Sequence, residues 1–264
     1  MQPKTGQDNI TRIATEFVNA RRSATALVDY PGTMPAALAE AYAMQDAAIA
    51  LTDTPISGWK VGRINPPFEG ADRLAGPIFA DRTFDAGETP RAMPVFAGGF
   101  AAAEAEFLLR IGTAPDPAKH SYTLAEATAL IDRVCVGIEI ASSPFGGIND
   151  HGAGVTISDF GNNNGLVIGD AIPDWRERDL NAWDVELTID GVSTGVATAA
   201  TMLDGPFGAA RFLFELMAVR GIALSAGQWI STGAVSGVHP VEVGAQVVAI
   251  FDRTVRVECS ISAQ

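Results

Sequence analysis

The run Val134 to Ser142, VCVGIEIAS, restricts the fold more than any other stretch of the chain. It is apolar almost without interruption, and a strand of that kind is stable only when both of its faces are covered. Glu139 stands inside it. Alternation on a strand places Glu139 with Cys135, Gly137 and Ala141, and places Val134, Val136, Ile138 and Ile140 on the opposite face. The small neighbours leave room beside the carboxylate. A buried, isolated carboxylate costs several kcal/mol even after relaxation. Glu139 therefore needs a cation, an arginine partner or a proton.

A second stretch, Ala101 to Gly112, reads AAAEAEFLLRIG. Residues i and i+2 share a face only on a strand. Glu104 and Glu106 then lie together with Leu108 and Arg110, and Ala105, Phe107, Leu109 and Ile111 form a wholly apolar face. Two readings fit this pattern. The charged face can point to water, as on a half-buried antiparallel strand, or the paired carboxylates can hold a hard cation. If Glu139 lies across from Glu104 and Glu106, three negative charges converge and at least one carboxyl pKa must rise. A divalent ion removes the conflict, and an all-oxygen set with open positions suits Mg²⁺ or Mn²⁺ better than Zn²⁺. His120, His151 and His239 have no metal-binding spacing such as HExxH.

Composition narrows the partners. The formal charge is −13, so the chain has no basic footprint for nucleic acid, and its acidity disfavours anionic membrane surfaces. No apolar run reaches the length of a spanning helix, and the opening MQPKTGQDNITRIATEF lacks the apolar centre of a secretion signal. Cys135 and Cys259 sit in apolar, strand-like runs and read as core thiols. A cytoplasmic protein is the expectation.

The first fifty residues read as helical. Ile10, Ile13, Phe17 and Val18 make one stripe with Asp8 or Asn9 available as cap, and a second helix is expected from Pro35 to Leu51 with Thr33 before it. PISGWKVG reads as a short strand ending in a loop at Pro66–Pro67. Thr123 and Glu126 form a capping box. Beyond Gly152, strands alternate around the Asp190-Gly191 turn dipeptide, interrupted by one helix with Pro206 in its first turn and Gly221 at its end. The sum is an α+β chain on a curled sheet, one functional unit with a helical portion over 1–55 and a sheet portion over 56–264.

Several short motifs occur in a fixed order: GWKVG (58–62), GPIFAD (76–81), EAEFLL (104–109), GIEIAS (137–142), NGLVIG (164–169) and STGAVSGVHPVEVG (231–244). In that order they resemble the 2-oxopent-4-enoate hydratases and the related 4-oxalocrotonate decarboxylases, within the fumarylacetoacetate hydrolase superfamily. The resemblance covers the chain from the second expected helix to the end. It implies a mixed β-roll, a homo-oligomer, and Mg²⁺ or Mn²⁺ held by Glu104, Glu106 and Glu139. It implies a small 2-oxo or 2-hydroxydienoic acid substrate from aromatic-ring degradation, to which a hydratase adds water. Decarboxylation of 4-oxalocrotonate is the rival reaction. A non-catalytic partner subunit is the rival role, and such a subunit would be expected to lose the ligands or Lys60.

Lys60 and Asp81 match positions that these enzymes place around the substrate. Lys60, beside Trp59 and near a cation, is expected to have a depressed pKa suited to proton transfer; its other reading is a surface lysine. Asp81 would relay a proton or orient water, or else bond a turn backbone. SDFGNNNG (158–165) stands where relatives carry a serine-rich segment, so Asn163 either contacts substrate or shapes a turn. Arg63 replaces a usually neutral residue and either reads a second carboxylate or faces solvent. Ser236 keeps the hydroxyl of a position often held by threonine.

Overall fold

The computed structural model describes residues 6–264. Its helices are α1 (Gly6–Ser23), α2 (Leu38–Ala50), α3 (Leu124–Ala129), α4 (Ala153–Ser158) and α5 (Gly205–Arg220). The strands are β1 (Ile56–Phe68), β2 (Ala71–Phe79), β3 (Thr83–Asp85), β4 (Arg91–Val95), β5 (Phe100–Ile111), β6 (Ile131–Ser143), β7 (Asn163–Ala171), β8 (Asp184–Ile189), β9 (Val192–Thr198), β10 (Trp229–Ser231), β11 (His239–Pro240), β12 (Gln246–Phe251) and β13 (Val255–Ala263). They form two mixed sheets. The larger runs β2-β1-β10-β5-β6-β7-β3 with β11 on β5, and the smaller runs β4-β13-β12-β8-β9. The chain is α+β, helices first and mixed sheets after, as its patterning requires.

The apolar faces of β5 and β6 meet the smaller sheet and α5. Phe107, Val136, Ile138 and Ile140 pack in one cluster with Val247, Phe251, Leu213 and Phe214, and the Phe107 and Phe251 rings meet edge to face at 5.3 Å. Full burial of side chains this size contributes about 1.5–3 kcal/mol each. This packing fixes the register, because a slip of one residue would turn the apolar face of β5 outward. A second, smaller core joins Ile13 and Phe17 of α1 to Tyr30, Met44 and Phe145.

Local signals hold where a side chain or turn geometry enforces them. Thr123 and Glu126 bond reciprocally at the start of α3. Asp190 and Gly191 both take positive φ, as the two-residue hairpin turn demands, and Gly221 ends α5 left-handed. Cys135 and Cys259 are free, buried thiols, pushed by burial to about 11 and about 12.

Three expectations are corrected. Asn9 lies within α1 and caps nothing; its amide instead bridges to the Thr33 backbone, donating to the carbonyl and accepting from the N–H. The second helix starts at Leu38, after Ala37, because Thr33 and Pro35 belong to the loop that Asn9 pins. Pro66 and Pro67 do not end the strand: β1 continues to Phe68, with its pairing to β2 shifted between Arg63 and Phe68. Prolines remove ladder donors, which interrupts the pairing without turning the chain away.

Candidate metal centre and its cavity

The order of the larger sheet collects the polar residues of five strands. In the β5–β6 ladder Glu104 stands directly opposite Glu139, and Glu106 opposite Gly137. Ser231 of β10 pairs with Leu108 on one side and Lys60 of β1 on the other. Asn163 opens β7, paired with Ala141. Like charges directly across a ladder destabilise it, so this register demands compensation.

Glu104, Glu106 and Glu139 each offer an oxygen, and these oxygens lie within 4.8 Å of one another. Glu106 and Glu139 are 0 % exposed and Glu104 5 %. The arrangement excludes the reading in which the acidic face of β5 points to water. Gly137 serves packing: a Cβ there would stand 2.3 Å from the Leu108 side chain.

Each acid is aimed by a specific partner. Glu106 Oε2 accepts from Ser231 Oγ at 2.5 Å and from the Gly233 N–H at 2.8 Å. Glu139 Oε1 accepts from Asn163 Nδ2 at 2.8 Å, and Lys60 Nζ lies 3.5 Å from the same oxygen. Glu106 Oε1 and Glu139 Oε2 are buried with no hydrogen-bond partner among the described residues. Two orphaned acceptor oxygens in an all-carboxylate set fit a hard divalent cation. The buried triad can hold a metal ion.

Electrostatics point the same way. Burial pushes Glu104 up to about 7, with Lys60 opposing and Glu139 adding to the rise. Burial, then Glu139 and Glu104, push Glu106 well above the usual carboxyl range. In the metal-free site burial alone would lower the Lys60 pKa, but Glu139, Glu104 and Glu106 together outweigh burial and raise it.

A carboxyl with a raised pKa takes up a proton on folding. Its stabilising share is complete below about 4.5 and is lost as pH rises through about 7. Metal-free protein is therefore expected to melt at lower temperature as pH goes from 5 to 8, and the increment in melting temperature given by Mg²⁺ is expected to grow over the same window. Thermal melts with EDTA and with Mg²⁺ at several pH values check this; an increment that stays flat contradicts it.

The cluster opens into a cavity of about 800 Å³, lined among others by Lys60, Arg63, Arg73, Glu104, Asn162 and Gly233. Phe160, Gly161 and Asn162 all take positive φ, and this left-handed turn lies against β2, where a Cβ on Gly76 would stand 2.0 Å from the Phe160 carbonyl oxygen. Arg21 of α1 secures the turn. Its guanidinium bonds both Asp159 carboxylate oxygens and the Asn163 carbonyl.

The proposed contacts are distributed unevenly. Lys60 and Arg63 line the cavity. Asn163 does not; its amide is spent on Glu139, and Asn162 lines the cavity instead, 2 % exposed with Oδ1 unpartnered. Asp81 is exposed on the turn after β2 and lines a separate cavity of about 230 Å³ with Arg21 and Arg82. The strand ends at Phe79, so the turn carries Asp81 away from the cluster's cavity. Ser236 is half-buried, its Oγ 3.2 Å from His239 Nε2, and its neighbours Gly237 and Val238 line the cavity in its place. Ser231 and the Gly233 N–H were legible only as part of the STGAVSG motif, since their partner lies 125 residues away for Ser231.

No protein-family model matches the sequence, and no curated protein matches it. Solved structures do. 4-Oxalocrotonate decarboxylase from Pseudomonas putida G7, complexed with magnesium and adipate, superposes with a TM-score of 0.79 at 19% identity, covering 97% of this chain and 98% of that one. The same enzyme complexed with calcium and acetate gives 0.78 at 19% identity and the same coverage. Fumarylpyruvate hydrolase from Pseudomonas aeruginosa, in complex with Mn²⁺ and pyruvate, gives 0.60 at 17% identity, covering 81% and 93%. The chain has the fumarylacetoacetate hydrolase fold. In this fold the helical portion contributes Arg21, and the larger sheet contributes the acids. No helix among the described residues is long and apolar enough to cross a membrane.

Proposed function

We propose that the protein is a divalent-metal-dependent hydratase that adds water to a 2-hydroxy-2,4-dienoate and yields a 4-hydroxy-2-oxo acid. The observation that carries this is the buried triad with two orphaned carboxylate oxygens, an ammonium 3.5 Å from Glu139, and a cavity above it. Glu104, Glu106 and Glu139 would hold Mg²⁺ or Mn²⁺, which supplies a Lewis acid for a 2-oxo acid's adjacent carboxylate and ketone oxygens. Metal complexes of similarly folded enzymes support that choice.

The chain's own groups do the rest. Ser231 and the Gly233 N–H fix Glu106, and Asn163 fixes Glu139, so the triad is aimed before anything binds. Lys60 sits where it can hold or return the proton of a dienol hydroxyl. Ketonisation of the dienol moves a proton to the chain's far end and leaves an α,β-unsaturated ketone. Water then adds at the carbon β to the ketone.

Decarboxylation of a 2-oxo acid uses the same electron demand at the ketone, and the likeness to 4-oxalocrotonate decarboxylase favours it as the second reading. Mixing the protein and Mg²⁺ with 2-hydroxypenta-2,4-dienoate and with 4-oxalocrotonate separates the two. Loss of dienoate absorbance without carbon dioxide is the expected result. Gas released from 4-oxalocrotonate supports the second reading, and inactivity on both with Mg²⁺ and Mn²⁺ overturns the enzymatic one.

A further inference from the structure

The turn that feeds the metal centre has a cavity on each side. Gly161 and Asn162 line the larger one, while Phe160, Asn163 and Asn164 line the separate cavity of about 230 Å³. Three arginines, Arg21, Arg22 and Arg82, share the walls of the smaller cavity. Arg21 is engaged by Asp159, Asn163 and Asn164, and Arg22 donates to the Leu51 carbonyl. Arg82 is half-buried, with neither a hydrogen bond nor an ion pair from its side chain among the described residues. The two acids of the lining, Asp53 and Asp81, are exposed and pair with none of these arginines. Burial lowers the Arg82 guanidinium from its ordinary pKa; Asp81 opposes the fall and Arg21 adds to it. Guanidiniums around one hollow, with one of them unpartnered, make a charge arrangement that an anion relieves.

We propose that the smaller cavity is a second ligand site, which takes one small oxyanion on Arg82 and Arg22, and that its occupancy is felt at the metal centre through the turn 159–164. The volume lies below the roughly 300–1,000 Å³ of a pocket for drug-sized molecules, so it suits an ion or a very small acid. The path to the triad is short. Arg21 bonds Asp159 at the start of the turn and the Asn163 carbonyl near its end, and the Asn163 amide reaches Glu139 at 2.8 Å. A negative charge beside Asn163 attracts a divalent cation on the triad, and by linkage the cation strengthens the anion site by the same factor. Binding of the anion does not depend on the metal-dependent reading above; its link to the triad does.

Calorimetric titration of the metal-free protein with sodium sulfate, against sodium chloride at equal ionic strength, tests the site. Sulfate is expected to bind at one equivalent per chain. Arg82→Gln should weaken it about 10-fold or more, as the loss of a charge-assisted hydrogen bond implies, and Arg82→Lys should keep part of the affinity. Arg63→Gln, in the larger cavity, should leave it unchanged. A parallel titration with sodium acetate separates the two sources of this chemistry: tighter sulfate assigns an inorganic tetrahedral anion, and tighter acetate a small carboxylate. Mg²⁺ is then expected to bind about 5-fold tighter with sulfate present in the wild type, and equally with and without it in Arg82→Gln. Failure of both anions to bind, or affinity that falls in Arg63→Gln and not in Arg82→Gln, overturns the site. Mg²⁺ binding that sulfate does not tighten overturns the link to the triad. Failure of Mg²⁺ to bind at all overturns the metal-dependent reading and leaves the anion site standing.

Discussion

Glu106→Gln is expected to lower Mg²⁺-dependent turnover by about 10³-fold, the upper range for losing one electrostatic stabiliser, while making the metal-free protein more stable. The two effects have one origin. In the wild type, Glu106 Oε2 is held by Ser231 and the Gly233 N–H, and Oε1 faces the other two acids without a donor. A glutamine keeps the first arrangement through its amide oxygen and places an N–H₂ where Oε1 was. That group can donate to Glu104 or Glu139, replacing a like-charge contact by a hydrogen bond worth about 1–3 kcal/mol with a charged acceptor. The metal loses a charged ligand at the same time. Melting curves with and without Mg²⁺, beside an activity assay, check both halves. A variant that keeps the full Mg²⁺-induced rise in melting temperature would remove Glu106 from the metal site. A variant that melts lower without metal would mean the carboxylate was stabilising the fold.

Much of this was legible in the sequence because strands impose a period of two. The spacing of Glu104 and Glu106 and the position of Glu139 in an apolar run assign each acid to a face, and the apolar residues of the same strands assign the other face to the core. Their direct apposition needs the antiparallel register, which the pattern suggests but does not state. What the sequence concealed was long-range or backbone-borne. The Ser231–Glu106 bond depends on β10 inserting between β1 and β5, a crossover that no local signal announces. Asn162 and Asn163 are neighbours of the same type, and only the left-handed turn at Phe160–Asn162 decides that Asn163 reaches Glu139 while Asn162 meets the cavity. Arg21, in the last turn of α1, fastens that turn through Asp159, a partner 138 residues away that no local pattern announces. Asp81 sat in a recognisable motif, but a motif fixes chain position and not the direction of the turn that carries it.

Lys60→Met is expected to separate binding from chemistry. Without metal, the carboxylates hold the Lys60 ammonium above its ordinary pKa, despite burial that acts against the charge. A lysine so held is a poor proton donor near neutral pH. A divalent cation on the triad cancels those charges and leaves burial and cation repulsion, both of which lower a lysine pKa. Loading the site therefore brings Lys60 towards the range where it can exchange a proton, as is expected of a lysine beside a cation. The methionine variant removes a positive charge beside the cluster, so it should bind Mg²⁺ at least as tightly as the wild type, and turnover should fall by about 10²–10⁴-fold, the usual share of a general acid or base. The basic limb of the kcat/KM–pH profile, which reports the lysine, should disappear with it. Calorimetry for Mg²⁺ and a pH–rate series test both. Turnover equal to the wild type removes Lys60 from proton transfer, and weakened Mg²⁺ binding would mean that its ammonium positions the acids instead.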